Sequence, residues 1–162
     1  KSLDQYPEDF YSDKSEVIYK EGIFVGYRYF DEYDLETTFP FGYGLSYTDF
    51  EYSDLKVTKA GDNEVSVSLE VRNTGDKDGA DVIQIYVSDL ESSVERPEKE
   101  LKEFHKVMLE SGETKTVAFT LDADAFAFWD NTRKAWTVEP GVFEILVGAS
   151  SADIRLRDKI NL

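Results

Sequence analysis

Val65-Ser66-Val67-Ser68-Leu69-Glu70-Val71-Arg72-Asn73-Thr74-Gly75-Asp76-Lys77-Asp78-Gly79-Ala80-Asp81-Val82-Ile83-Gln84-Ile85-Tyr86-Val87 reads as two strands about a turn. In the first half Val65, Val67, Leu69 and Val71 fall on one face and Ser66, Ser68 and Glu70 on the other, the period of two of a half-buried strand. In the second half Ile83, Ile85 and Val87 share a face, opposite Val82, Gln84 and Tyr86. That second face is mixed, so partial cover of Tyr86 is expected. Asn73 to Gly79 is dense in turn-forming residues, and the whole stretch is expected to form a β-hairpin.

The pattern continues on both sides. Upstream, Phe50 and Tyr52 and then Leu55 and Val57 are the apolar members of a strand over 47–57, with a bend near Ser53-Asp54; Lys59 to Asn63 is turn chemistry. Downstream, 89–98 is a polar loop ending in Arg96-Pro97. The segment 100–109 reads as a strand with an irregularity near Glu103, although Leu101, Phe104, Val107 and Leu109 partly mimic helical spacing. After the turn at Glu110 to Glu113, the strand 114–121 points Val117 and Phe119 one way and Thr116, Ala118 and Thr120 the other. Phe126, Phe128 and Trp129, the turn Asp130 to Arg133, and Trp136 with Val138 on a returning strand come next. The turn Glu139-Pro140-Gly141 then launches a strand over 142–147, and a last strand lies near 154–156. About seven short strands at about ten-residue spacing, without helices between them, predict a mainly β fold, a two-sheet sandwich of fibronectin type III or immunoglobulin-like kind.

Composition narrows the possible partners. A chain of 162 residues supports one good core. With 34 acidic against 18 basic residues the formal charge is −16, and Lys99, Lys102 and Lys106 alternate with acidic neighbours without forming a basic track. Nucleic acid and anionic membrane are therefore not expected as partners. No apolar run reaches the roughly 18 residues of a membrane span, and Lys1 to Pro7 lacks the apolar stretch of a secretion signal. The expectation is a soluble chain, cytoplasmic or secreted. Without cysteine the sequence has no disulfide or thiolate chemistry, which leaves the compartment open.

Residues 1–45 read differently. They carry Tyr6, Phe10, Tyr11, Tyr19, Phe24, Tyr27, Tyr29, Phe30, Tyr33, Phe39, Phe41 and Tyr43, more aromatic surface than so short a piece can bury alone. Ile23, Tyr27 and Phe30 recur at helical spacing, so one short helix is expected over 23–34, weakened by Gly26. Phe39 to Leu45, with Pro40, Gly42 and Gly44, is expected to be an irregular packed connector. On chemistry alone the piece is either an arm wrapped on the sandwich or the tail of a larger domain.

Candidate chemistry is sparse. Chance pairs are inevitable among so many carboxylates, and His105 is the sole histidine, so a multi-histidine metal site cannot be built within one chain. Asp76, Asp78 and Asp81 lack the rest of a calcium loop and read as turn polarity. Ser46, Ser150 and Ser151 lack the glycine-flanked elbow of a hydrolase nucleophile, and no glycine pattern makes a phosphate or dinucleotide loop. No cofactor and no metal is expected. Trp129 and Trp136, with Phe126 and Phe128, either pack in the core, the ordinary fate in a sandwich, or form a sugar-stacking platform.

Tyr19 to Asp31 (YKEGIFVGYRYFD) followed by Phe39 to Thr48 (FPFGYGLSYT) resembles the C-terminal region of glycoside hydrolase family 3, the β-glucosidase and β-xylosidase family. Val71 to Gly75, Gly79 to Val87, Arg96 to Lys102 and Glu139 to Gly148 resemble that family's fibronectin type III-like domain, in the same order. Two departures are visible: Tyr43 stands where the family usually has histidine, and Glu103 where it has glycine.

The resemblance implies that residues 1–45 are the closing part of an α/β domain plus linker, and that 46–162 is an accessory sandwich packed on a catalytic body. In the family, retaining hydrolysis uses an aspartate nucleophile and a glutamate acid/base carried on earlier domains. Neither motif occurs here, so no catalytic residue is carried over. The implied function is a non-catalytic structural module of a β-glycosidase whose partner is the remaining catalytic domains. A polysaccharide or plant-polymer module contacting sugar through Trp129 and Trp136 is the alternative.

Overall fold

A computed structural model describes residues 20–162; the expectations placed on residues 1–19, including the aromatic side chains there, lie outside the described residues. The chain order is α1 (Tyr27–Glu32), β1 (Phe50–Gly61), β2 (Glu64–Asn73), β3 (Gly79–Asp89), β4 (Glu100–Leu109), β5 (Thr114–Leu121), α2 (Ala123–Phe126), β6 (Phe128–Asp130), β7 (Ala135–Thr137), β8 (Val142–Gly148) and β9 (Ile154–Asn161). A three-stranded sheet β1-β2-β5 faces a four-stranded sheet β4-β3-β8-β9, and β6-β7 forms a separate ribbon. All pairings are antiparallel. The expected mainly β, fibronectin type III-like sandwich is what the chain forms.

The alternation read from the sequence builds the core. Val65, Val67, Leu69 and Val71 of β2, with Val117, Phe119 and Leu121 of β5, meet Ile83, Ile85 and Val87 of β3, Val107 and Leu109 of β4, and Phe143, Ile145 and Val147 of β8. Each fully buried side chain of this size contributes about 1.5–3 kcal/mol. In β1 the apolar parity switches from even to odd positions, and the register breaks between Ser53 and Lys56, where Asp54 has φ 53°. That bulge returns Leu55 and Val57 to the side of Tyr52, as the bend expected there requires. A second irregularity opposes Ile85 to Glu103 and Tyr86 to Leu101, leaving Lys102 as the extra residue of β4, beside the expected position.

The stretch from Val65 to Val87 is not a hairpin. β2 pairs with β1 and β5 while β3 pairs with β4 and β8, so the turn carries the chain from one sheet to the other. Alternation tells which residues share a face but not which strand lies alongside, and here the two apolar faces oppose each other across the core. Asn73, fully buried at the end of β2, holds the crossing. Its Oδ1 accepts from Thr48 Oγ1 (2.6 Å) and from the Gly75 N–H (3.1 Å), and its Nδ2 donates to the carbonyls of Lys77 (2.7 Å) and Leu109 (3.3 Å). Thr48 lies so close that a Cβ at Gly75 or Gly79 would collide with its side chain.

Tyr86 is fully buried, beyond the partial cover expected for it. The cover is the arm, which adds a third layer on the outer face of the four-stranded sheet. Tyr27 stacks on Phe41 (4.9 Å between centroids) and meets Tyr86 edge-on (6.0 Å), and its hydroxyl accepts from the Leu101 N–H (2.7 Å). Gln84 donates to the carbonyls of Gly42 (3.2 Å) and Ala149 (2.7 Å), and the Ser151 N–H donates to the Phe41 carbonyl (2.9 Å). The helix expected over 23–34 is only Tyr27–Glu32. Gly26, at φ 63°, is its N-cap rather than an interior residue, and Ile23 lies before it in a turn.

Candidate functional surface

The site with most chemistry lies where the arm, the loop after β3 and the β6-β7 ribbon converge. Asp122 caps α2, its Oδ1 accepting from the Asp124 N–H (3.1 Å), and this short helix buries Phe126 against Phe143. The chain then turns outward into the ribbon, where Trp129 pairs with Trp136 across the strands. Asp130 closes the ribbon's turn by accepting from the backbone N–H groups of Arg133 (3.1 Å) and Thr132 (2.7 Å); these bonds hold its carboxyl below the ordinary value. Beside the ribbon runs a groove of about 860 Å³, lined among others by Ile23, Arg28, Val94, Arg96, Trp129 and Trp136.

Its floor is an ion-pair cluster. The Arg96 side chain, only 7% exposed, reaches Asp89 (3.1 Å), Glu100 (2.9 Å) and the Phe126 carbonyl (2.9 Å). Arg28 of α1 reaches the other oxygen of Glu100 (3.0 Å), and Lys99 reaches Asp31 (2.7 Å), so the cluster bolts the arm to β4. Burial pushes the Glu100 carboxyl up, but Lys102, Arg96 and Arg28 outweigh it and hold the group below the ordinary carboxylate value. Burial also lowers the Lys102 ammonium, against the pull of Glu100. Asp89 and Glu100 are both committed to Arg96. The arrangement fastens structure and does not present an acid and a base to a glycosidic bond.

Trp129 and Trp136, the two candidate sugar contacts, are brought together, with centroids 5.8 Å apart. Core packing is not their fate in this chain: they are 48% and 69% exposed. Nor do they make one plane, since the rings stand at 75° to each other. Among the described residues no cluster of three or more histidine, aspartate or glutamate side chains is placed to hold a metal. Asp78 accepts from the Ser111 N–H (2.9 Å), and Asp81 accepts from the Tyr52 hydroxyl (2.8 Å). His105 meets Phe119 edge-on at 6.5 Å, and Ser150 accepts from the Asp153 N–H (3.0 Å) in a turn. Sequence reasoning missed Arg96 as an organiser; its place beside Pro97 in a polar loop gave no sign that it would be buried. A further apolar surface lies on the connector, where Leu45 and Tyr47 are 87% and 95% exposed. No helix among the described residues is long and apolar enough to cross a membrane.

The sandwich with its docked arm defines the class: a fibronectin type III-like domain, whose family model matches residues 81–151. The chain belongs with the C-terminal region of glycoside hydrolase family 3 enzymes. It is 52% identical over 157 residues to thermostable beta-glucosidase B of Acetivibrio thermocellus, covering 95% of this chain and 21% of that protein. It is 49% identical over 142 residues to an exo-alpha-(1->6)-L-arabinopyranosidase of Bifidobacterium breve, covering 88% and 19%. Among solved structures, the GH3 beta-glucosidase of Bifidobacterium adolescentis superposes with a TM-score of 0.90 at 43% identity, over 93% of this chain and 22% of that one. The chain thus spans about a fifth of the length of these relatives.

Proposed function

We propose that this segment is a non-catalytic accessory domain of a family 3 β-glycosidase, with residues 1–45 as the end of the preceding α/β domain plus linker and 46–162 as the sandwich. The longer polypeptide would perform retaining hydrolysis of terminal β-glucosidic or β-xylosidic bonds, and its catalytic domains are the partner of this segment. The observation that carries the reading is the pairing of near-complete cover of this chain with about one fifth cover of its relatives. The ion-pair cluster at Arg96 is structural in geometry, which agrees with a segment that performs no bond cleavage itself. The segment is also shared, at similar identity, by proteins named for a β-glucosidase and for an arabinopyranosidase activity.

The second reading, carbohydrate contact through Trp129 and Trp136, has the exposure of both indoles in its favour and their steep mutual angle against it. The test is turnover of an aryl β-glucoside by the 162-residue chain and by the full polypeptide encoded by the gene. Activity is expected in the longer protein alone; turnover by the short chain overturns the proposal.

A further inference from the structure

We propose that Lys102 is a covalent binding site for small uncharged aromatic aldehydes, its amine forming a reversible imine at the floor of the tryptophan groove. Such a site goes beyond the accessory-domain reading and does not rest on it, because it needs only the surroundings of one nitrogen and the rim above it.

Lys102 is the extra residue at the β4 irregularity, without a partner in the β3 register, and it lines both the groove and a second hollow of about 170 Å³. Its side chain is only 16% exposed, and the nearest carboxylate oxygen among the described residues, Glu100 Oε2, lies 3.5 Å from its nitrogen. That carboxylate is already taken, by Arg28 at one oxygen (3.0 Å) and Arg96 at the other (2.9 Å). Arg28 and Arg96 balance Asp89 and Glu100, so a Lys102 ammonium is a fifth, uncompensated charge in a poorly hydrated place. Glu103 of β4, Asp122 and Asp124 of α2 line the second hollow, but none of them is ion-paired with Lys102. Burial, with Arg96 and Arg28 and against the pull of Glu100, lowers the proton affinity of the amine. A larger share of it is therefore uncharged and nucleophilic at neutral pH than an exposed lysine keeps. Lys99 is equally shielded, but its nitrogen is tied to Asp31 at 2.7 Å.

The rim selects the ligand. Trp129 and Trp136 are exposed and their rings stand at 75°, so the corner between them takes one planar ring, parallel to one indole and edge-on to the other. Ile23 and Val94 extend the apolar rim, and the exposed Glu95 on the same groove disfavours an anion. The groove, at about 860 Å³, has the size of a small-molecule site. An aldehyde supplies the carbonyl that an amine at the floor captures. The Lys102 nitrogen gives its lone pair to the aldehyde carbon, the C–N bond forms, and both amine protons leave with the carbonyl oxygen as water. Amine plus aldehyde gives imine plus water, with no change of oxidation state.

The test incubates the 162-residue chain at neutral pH with benzaldehyde and cyanoborohydride, which reduces the imine to a stable secondary amine, and scores each lysine by peptide mass mapping. Lys102 is expected to be labelled at least about tenfold faster than the exposed Lys106 of the same strand. The ratio should narrow as the pH rises and exposed lysines release their protons too. Trp136→Ala should slow labelling of Lys102 by benzaldehyde severalfold and leave its labelling by propionaldehyde, which has no ring to stack, unchanged. Lys102→Arg, which keeps the positive charge at the bulge, should remove the fast phase; circular dichroism checks that both variants fold. Lys102 labelled no faster than Lys106 overturns the proposal. Fast labelling of Lys102 by both aldehydes alike, untouched by Trp136→Ala, overturns the aromatic class of the ligand.

Discussion

Replacing Asn73 with alanine removes all four side-chain bonds at the crossing between the sheets, at 2.6, 2.7, 3.1 and 3.3 Å. Asn73 is wholly shielded from water, so the groups left behind cannot all be resolvated. At about 1 kcal/mol for each bond the loss is about 4 kcal/mol, a large part of the 5–15 kcal/mol that holds a typical domain together. With a urea dependence of about 2 kcal/mol per molar, the midpoint should fall by about 2 M without a change in slope. Asn73→Asp separates the bonds by type. It keeps the acceptor for Thr48 and Gly75 but turns a carboxylate toward the carbonyls of Lys77 and Leu109. Burial and those carbonyls raise the folded pKa of the new acid, so its stability is greatest below the unfolded value of about 3.9 and is lost as pH rises. The alanine variant should show no such dependence. Urea titrations followed by circular dichroism at acid and neutral pH provide both readings. A midpoint shift under about 0.5 M for Asn73→Ala would mean that the crossing is held by core packing alone, and the reasoning fails.

Arg96→Met leaves Asp89, whose side chain is 1% exposed, without a cation; a loss of about 3–5 kcal/mol is expected. Adding Asp89→Asn should restore part of it, and a double-mutant cycle in thermal melts checks the coupling. Tyr52 and Tyr86 govern alkaline stability. Burial, then the neighbouring Asp81 for Tyr52 and Tyr27 and Asp31 for Tyr86, push both hydroxyls well above their ordinary value. The folded chain keeps these protons while the unfolded chain releases them near pH 10, so the contribution is complete below about pH 10 and falls above it, by about 1.4 kcal/mol per pH unit for each group. Urea midpoints measured from about pH 9 to 11 should show a steep decline that Tyr52→Phe and Tyr86→Phe each make shallower; unchanged slopes refute it. Tyr27→Ala removes the stack on Phe41, the edge contact with Tyr86 and the acceptor for the Leu101 N–H, at an expected cost of about 2–4 kcal/mol. Faster hydrogen exchange at Gln84 to Val87 should report the lifted arm.

The strand positions were legible because burial on one face imposes a period of two, and Val65 to Val71 keep it without interruption. The irregular points were legible for the same reason: a parity switch at Ser53-Asp54 has no regular solution. The helix in the arm was overdrawn, since the spacing of Ile23, Tyr27 and Phe30 registered while the backbone requirement at Gly26 did not. Of the candidate surface, the tryptophans could be named but neither their exposure nor their angle could be read. Arg96 gave no sign of its burial: Asp89 and Glu100 are near it in sequence but read as polar loop and strand-edge residues, and its third partner, the Phe126 carbonyl, is 30 residues away.

Local rules thus determined by sequence alone which residues face inward, where turns interrupt the strands, and that an acidic, cysteine-free chain folds as a β-sandwich. Tertiary structure decided the rest: that β2 and β3 lie in opposite sheets, that the arm seals Tyr86, and that Trp129 and Trp136 stand outside. The physical reason is range. Alternation and turn chemistry act between near neighbours, whereas the crossing between sheets and the seating of the arm are settled by contacts such as Asn73 to Leu109 and Tyr27 to Leu101, whose members are 36 and 74 residues apart.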